Sequence, residues 1–268
     1  MDAKRLLSKW KITPDALLDQ FFLTDSQIIK KTVEMAEINS NDVVLEIGAG
    51  IGNLTRELAT KAGKVITYEV DRHFEPILSG LPTNVEIHFE SARGHVLPRG
   101  RWKQGKDFNK IVSNLPYSFA EQLLGHLTFI NYDRVVLMVP KKLVATINEH
   151  GVFSSFFKVK VLMEVGKEKF YPVPRTNSVL IDLIKLSDPI DTKDLALFLR
   201  QYVYQHSSQK LKNSLVEGLI IYYRLTENKS MTKNEARRLI EVKKFDSEFL
   251  EEALSVKVYG EISRVFEN

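Results

Sequence analysis

The chain contains no cysteine, which excludes disulfides and thiolate metal sites and suits a reducing, intracellular setting. Its six histidines are scattered and form no HExxH-type pair, so no catalytic metal is expected. Proline does not occur after Pro189, and nothing beyond that point forbids uninterrupted helices. No apolar run is long enough to span a bilayer, and the opening MDAKRLLSKWKI lacks a signal-peptide core. A cytoplasmic protein without membrane contact is expected. Charge of one sign is also modest. A formal net charge of +4 over 268 residues is a mild lean towards polyanions and decides nothing alone.

What is present is an ordinary core composition, 44% hydrophobic, in a length that suits one large domain or a larger and a smaller one. Short apolar runs rich in β-branched residues recur at VVLEIG (43–48), KVITYEV (64–70), VEIHFES (85–91), KIVSNLP (110–116) and RVVLMVP (134–140). Their near-continuous hydrophobicity suits strands covered on both faces. Between them LTRELATKA, RHFEPILSG and FAEQLLGHLTF carry apolar residues at helical spacing. This alternation predicts an open, largely parallel α/β sheet. VKVLMEVGKEKF (159–170) and SVLIDLIKL (178–186) read as an antiparallel hairpin completing it. Residues 1–40 look helical. From 188 onward LALFLRQYVYQ, KLKNSLVEGLIIYYRL, KNEARRLIEV and SEFLEEAL read as helices, with caps available at Asp191, Thr232 and Asp246 or Ser247. The expected domains are therefore 1–187, α/β, and 188–268, all-helical.

Two stretches carry chemistry. EIGAGIGNLT (46–55) is a strand entering a glycine-rich turn and then a helix, and the next strand ends YEVD (68–71). Glycines there let a ligand approach the backbone closely, and Glu69 is placed to hold the ribose hydroxyls of a nucleoside. Asp71 suits a helix start better. A dinucleotide would prefer Gly-x-Gly-x-x-Gly, with its pyrophosphate at the helix start. Here the third glycine comes one residue early, position 53 is Asn, and Glu46 would repel a pyrophosphate. The same carboxylate suits the cationic tail of S-adenosylmethionine, which has an ammonium, a sulfonium and no phosphate.

The second stretch, NLPY (114–117), ends the fourth strand at the edge where open α/β sheets bind ligands. A turn alone would explain Asn and Pro. The alternative is a grip on an exocyclic amino group. Pro116 biases Leu115 away from helical geometry, so the Leu115 carbonyl and the Asn114 side-chain oxygen converge as acceptors. Tyr117 supplies a stacking face. Accepting both N–H bonds of an amino group localises the nitrogen lone pair towards an electrophilic methyl, and no strong base is required. Elsewhere RGHVLPRGRWKQGKDFNK (93–110) sets Arg93, Arg99, Arg101, Lys103, Lys106 and Lys110 around Trp102. That is a solvated loop or a phosphate-contacting edge.

In this order QFFL (20–23), EIGAG, YEVD, NLPY and FYPVPRTNSVL (170–180) resemble the small-subunit ribosomal RNA adenine-N6 dimethyltransferases, most closely their archaeal and eukaryotic branch. The resemblance covers about residues 18–215. It implies a Rossmann-like class I methyltransferase sheet followed by a small helical domain, and dimethylation of adjacent adenines in small-subunit rRNA during ribosome biogenesis. It further implies S-adenosylmethionine as methyl donor, the pre-ribosomal small subunit as partner, and a monomer. By motif, Gln20, Phe21, Leu23, Glu46, Gly48, Gly50, Glu69, Ser91, Ala92 and Asn114 would touch the cofactor. Asn114, Leu115, Pro116 and Tyr117 would carry catalysis, with Tyr117 and Phe170 stacking on the target base. Phe170 reads equally as a core aromatic. Arg93, Arg99, Arg101, Lys103, Lys210 and Lys212 would contact RNA.

The chain departs from the family pattern in several places. It has Leu18-Asp19-Gln20-Phe21-Phe22-Leu23 for Leu-Gly-Gln-Asn-Phe-Leu, and Glu90-Ser91-Ala92 for Gly-Asp-Ala. It has Gly151-Val152-Phe153-Ser154 for Gly-Arg-Leu-Ser, and Ser207-Ser208-Gln209 where basic residues are the rule. Ser91 would accept from the adenine amino group without charge. These departures keep open a second reading, a ribosome-assembly factor that binds RNA with little turnover. A third is an amino-methylase of DNA or free nucleotides, since NLPY recognises an amino group rather than its carrier.

Overall fold

A computed structural model describes residues 3–94, 107–149, 153–186, 193–251 and 256–267. The chain divides into two compact units, Met1–Val144 with Val159–Ile184, and Ala145–Lys158 with Lys185–Asn268. The expected boundary at 187/188 lies outside the described residues, and 145–158 groups with the second unit. There the Ser155 carbonyl accepts from Gln201 Nε2 at 2.7 Å, and the Phe156 ring meets Tyr204 edge-on with centroids 5.4 Å apart.

The first unit opens with helix α1 (Ala3–Lys9), a 3-10 turn (Ala16–Leu18), strand β1 (Phe22–Leu23) and helix α2 (Ser26–Met35). Strand and helix then alternate: β2 (Val43–Ile47), α3 (Asn53–Ala59), β3 (Lys64–Tyr68), α4 (Glu75–Leu78) and β4 (Val85–His88). After them come β5 (Lys110–Asn114), α5 (Ala120–Leu127), β6 (Arg134–Pro140) and α6 (Lys141–Glu149). Strands β7 (Phe157–Val165), β8 (Phe170–Tyr171) and β9 (Ser178–Lys185) complete the set. Seven strands form one sheet in the order β4-β3-β2-β5-β6-β9-β7. From β4 to β6 all pairs are parallel, and β9 joins β6 antiparallel, with Val136 opposite Asp182 and Pro140 opposite Ser178. The expected α/β sheet is present, with β9 lying between β6 and β7.

The apolar runs form central strands because both faces are covered. Val44, Val112, Val136 and Leu180 pack with Ile29, Val33, Leu54 and Leu58 from α2 and α3. The alternate residues Leu45, Ile111 and Leu137 point the other way and are equally buried. The order in which strands are added reverses at β2: β3 and β4 extend to one side, β5 and β6 to the other. The carboxyl ends of β2 and β5 therefore flank the crevice where such sheets take ligands. At their opposite ends Lys110 is buried and pairs with buried Asp42 at 2.9 Å, and Asn109 donates to both Asp42 and Asp133. Lys110 is thus a strand anchor and not part of a phosphate-contacting edge.

The N-terminal 40 residues contain a strand that helical periodicity does not reveal. Strand β1 pairs antiparallel with β8, Phe22 opposite Tyr171 and Leu23 opposite Phe170. This joins the QFFL and FYPVP segments across about 150 residues of chain.

The second unit contains α7 (Leu195–Gln205), α8 (Leu211–Glu227), α9 (Lys233–Val242) and α10 (Val256–Phe266). Phe198, Leu199, Tyr202, Leu215, Leu219, Ile240, Val258 and Ile262 share its core. Thr232 caps α9 in a reciprocal box with Glu235, as its sequence suggests. Helix α7 is capped by Asp194, whose carboxylate accepts from Leu197 N; Asp191 lies outside the described residues. SEFLEEAL yields a 3-10 turn at Glu248–Glu251, and the last helix is α10, which begins later.

Candidate active site

The tips of β2 and β5 are tied by one hydroxyl. Ser113 Oγ donates to the Ile47 carbonyl at 2.6 Å and accepts from Ile47 N at 3.3 Å. Beyond that tie each strand turns sharply. Gly48 has φ +84°, and a Cβ there would lie 3.3 Å from Pro116 Cγ, so the glycine turn and the NLPY proline stand in direct approach. Gly50 has φ +53°. Its N–H donates to Glu69 Oε2 at 2.7 Å, and an added Cβ would meet Phe22 at 2.9 Å. Around these turns lies a cavity of about 470 Å³, within the range of small-molecule sites. Its lining includes Gln20, Phe21, Leu23, Glu46, Gly48, Gly50, Glu69, Ser91, Ala92, Asn114 and Pro116. Every residue expected at the cofactor is therefore on one cavity wall or another.

The electrostatics are unusual for a cavity this buried. Glu46 is enclosed, and one oxygen accepts from Thr55 Oγ1 at 2.7 Å and Thr67 Oγ1 at 2.8 Å. Burial nevertheless outweighs these bonds and, with the neighbouring Glu69, pushes its carboxyl up to about 7. Burial also raises Glu69, against hydrogen bonds from the Asp71 and Gly50 amides. Among the described lining residues Asp19, Glu46, Glu69 and Glu90 are acidic, and Arg93 is the one strong cation. Such a wall disfavours a pyrophosphate and favours a ligand with cationic groups. The glycine turn admits close approach, two carboxylates stand at adjacent strand tips, and the volume suits a nucleoside with an amino-acid tail. These residues fit S-adenosylmethionine.

Gln20 lines the cavity, but its amide is engaged on both sides. Its Oε1 accepts from Asp15 N at 2.7 Å, and its Nε2 donates to Asp71 Oδ2 at 2.8 Å. It shapes the wall through loop 15–23. Asp71 itself caps the 3-10 turn Arg72–Phe74, accepting from His73 N, which is the helix-start role expected of it. Ser91 is exposed at the rim, its hydroxyl oxygen accepting from Arg93 N at 3.2 Å, with buried Ala92 beside it.

Asn114 is half-buried, and its Nδ2 donates to the Phe21 carbonyl at 3.1 Å. A carbonyl only accepts, so this bond fixes which end of the amide is nitrogen and leaves Oδ1 as a free acceptor among the described residues. Leu115 N donates to the Met138 carbonyl at 3.2 Å and the Leu115 side chain is core; unlike Asn114 and Pro116, this residue is not part of the cavity lining. Tyr117 begins a 3-10 turn (Tyr117–Phe119), and its side chain lies outside the described residues.

Phe170 does not supply a second stacking face. It is 3% exposed and packs with Leu23, Val165 and Leu180, because its pairing with Leu23 turns the ring into the core. Of the expected RNA contacts, Arg93, Lys210 and Lys212 are exposed, whereas Arg99, Arg101 and Lys103 lie outside the described residues.

Three contributors have roles that the sequence does not reveal. Asn53, where a dinucleotide site would prefer glycine, donates from Nδ2 to the Leu23 carbonyl at 3.1 Å. Asp19 accepts from Ser118 N at 2.9 Å, and the buried Phe119 ring lines the cavity. Asp19 left a trace as a departure from the family's glycine and Asn53 as a departure from the dinucleotide pattern; Phe119 left none.

A family model described as ribosomal RNA adenine dimethylase matches residues 16–248. The chain is 31% identical over 225 residues to a probable ribosomal RNA small subunit methyltransferase A of Pyrococcus abyssi, covering 80% of each. To the ribosomal RNA small subunit methyltransferase A of Thermotoga maritima it is 32% identical over 231 residues, covering 81% of this chain and 79% of that one. Its fold matches the crystal structure of a dimethyladenosine transferase from Plasmodium falciparum with a TM-score of 0.55 and 21% identity, covering 90% of this chain and 95% of that one. Match length and identity together settle the relationship: this chain belongs to the ribosomal RNA adenine dimethylase family.

Proposed function

We propose that the protein transfers methyl groups from S-adenosylmethionine to the N6 amino groups of adenines in small-subunit rRNA, twice per adenine. The observation that carries this reading is the Asn114 amide. Its nitrogen is committed to the Phe21 carbonyl, its oxygen is available, and it stands on the wall shared with the glycine turn and Glu69.

When bound, the cofactor would supply a sulfonium methyl for transfer to the amino nitrogen, its sulfur keeping the electron pair of the broken bond as a neutral thioether. The protein's part is alignment and charge placement. Asn114 Oδ1 and the Leu115 carbonyl accept from the two N–H groups of the incoming amino group, favouring a pyramidal nitrogen. Attack makes that nitrogen cationic and acidic, and its proton passes to solvent without a dedicated base. Glu69 offers lone pairs to ribose hydroxyls while its Gly50 bond holds the turn rigid. Ionised Glu46, on the same wall, would supply the charge complementary to the cationic tail. The second transfer reuses the same grip after product exchange, with one N–H remaining.

Arg93 at the rim, with Lys210 and Lys212, would meet RNA phosphates, and the protein would work as a cytoplasmic monomer on the pre-ribosomal small subunit. Among the described residues no helix is long and apolar enough to cross a membrane. The test is mass spectrometry of small-subunit rRNA from immature particles after incubation with the protein and isotopically labelled cofactor. Labelled N6,N6-dimethyladenosine is expected. Cofactor binding without any label in the RNA would sink the proposal and leave an assembly factor in its place.

A further inference from the structure

The site is bordered by loop 15–23, and two bonds among the described residues attach it to the base-gripping segment. One is the Asn114 bond to the Phe21 carbonyl. The other lies two residues earlier in the loop and four later in the segment. The Ser118 amide donates to Asp19 Oδ2 at 2.9 Å, across 99 residues of sequence.

Asp19 holds this position against its own backbone preference. It has φ +53° and ψ +35°, closing the 3-10 turn Ala16–Leu18, with its N–H donating to the Ala16 carbonyl at 3.3 Å. Glycine enters that region without steric penalty, and Asp and Asn are the side chains that tolerate it next best. A carboxylate here therefore answers to something other than the turn. What it reaches is an amide with no helical partner. Ser118 sits in the turn between NLPY and α5, and Phe119, at the N-cap of α5, makes no side-chain cap bond. The first amides of such a segment need acceptors from outside it.

We infer that Asp19 is a positioning residue for methyl transfer: by accepting from Ser118 N it fixes the turn that follows Asn114, Leu115 and Pro116. This rests on the proposed function. The carboxylate acts on the strand tip through the Ser118 amide and not by touching substrate. Loop 15–23 lines the cofactor cavity on one side and is clasped to the base grip on the other. It thereby sets the distance between the two reacting partners. Small misplacements of aligned reactants are costly, up to about a hundredfold per ångström.

Two substitutions separate this role from a merely structural one. Asp19→Gly relieves the left-handed backbone and removes the acceptor. Asp19→Asn tolerates the backbone and keeps an acceptor without charge. For Asp19→Gly we expect folding stability equal to or above wild type and kcat lower by about tenfold or more, a larger effect than the rise in KM for cofactor that loss of one lining carboxylate brings. Asp19→Asn should restore kcat to within about threefold of wild type. Hydrogen exchange at the Ser118 amide should quicken in Asp19→Gly and stay slow in Asp19→Asn. Asn failing as badly as Gly would mean that charge matters and would overturn the positioning role, as would an unimpaired Asp19→Gly enzyme. The exchange measurement needs no turnover. Unchanged exchange in Asp19→Gly refutes the clasp itself, whereas an inactive wild type refutes the assigned reaction.

Discussion

Replacing Glu46 by glutamine should make the empty protein more stable and a poorer binder of cofactor, with both effects growing as pH rises. The carboxyl is displaced from an ordinary 4.5 to about 7 in the folded chain, chiefly by burial. A raised folded-state value means that the folded chain holds the proton more tightly than the unfolded one. That contribution is complete below pH 4.5, declines between 4.5 and 7, and is absent above 7. At about 1.4 kcal/mol per tenfold change, ionising this group in place lowers stability by about 3 kcal/mol between pH 4 and pH 8. Glutamine can still accept from Thr55 and Thr67, so Glu46→Gln keeps the local bonds and loses the cost. Urea denaturation should show near-equal stabilities at pH 4.5 and a gain of about 3 kcal/mol for the variant at pH 8.

Cofactor binding should move oppositely. A cationic tail prefers the ionised carboxylate, so wild-type affinity for S-adenosylmethionine should fall by about thirtyfold from pH 8 to pH 5.5 as Glu46 takes up its proton. Glu69 is raised by burial as well, and the variant should keep whatever residual slope that group contributes. Calorimetry at both pH values, run on wild type and variant in parallel, measures the difference. A variant that is no more stable at pH 8, or that binds cofactor with undiminished affinity and slope, would show that Glu46 faces no cation. A site that stores unfavourable ionisation until its ligand arrives is a familiar exchange of stability for function.

Other perturbations test the remaining joints. Asn114→Ala should cut rRNA methylation by about a hundredfold or more, with a much smaller change in cofactor Kd, because the variant loses the acceptor proposed for the target amino group; equal activity would remove Asn114 from the mechanism. Gly50→Ala must push Phe22 aside at a left-handed position, and chemical denaturation should register a loss of about 1–3 kcal/mol along with weakened cofactor binding. Lys110→Met leaves buried Asp42 with only its neutral donors, and a destabilisation of about 3 kcal/mol is expected, shrinking as acid protonates the aspartate. The Asp42 carboxyl is held below its ordinary value, so the wild-type pair contributes above that range and is lost as pH falls through it. Thr232→Ala should cost about 1 kcal/mol, read from the melting of the isolated second unit if it folds alone or of the full chain.

The physical reason for what was legible in the sequence is burial. Strands β2, β5 and β6 are covered on both faces, so their runs are apolar throughout and stand out, and the residues at their carboxyl ends follow by counting. Counting along the strands brings Glu46, Glu69 and Asn114 to one end of the sheet, and all three line the cavity there. Phe170 shows where that logic fails. An aromatic at a strand end reads the same whether its ring faces ligand or core, and only its pairing with Leu23, set by a two-residue strand far away in sequence, decides for the core. Helix α10 was hidden for a different reason. VKVYGEISRVF mixes β-branched residues with a glycine, yet Val258, Ile262, Val265 and Phe266 fall on one buried face, so tertiary packing overrides local preference. Loop 15–23 is the hardest case, because its contribution consists of bonds to Asp71, Asn53, Asn114 and Ser118 that have no periodic signature. A loop of this kind announces itself in sequence only when it breaks a pattern, as Asp19 does, and the meaning of the break becomes visible once the amide it serves is seen.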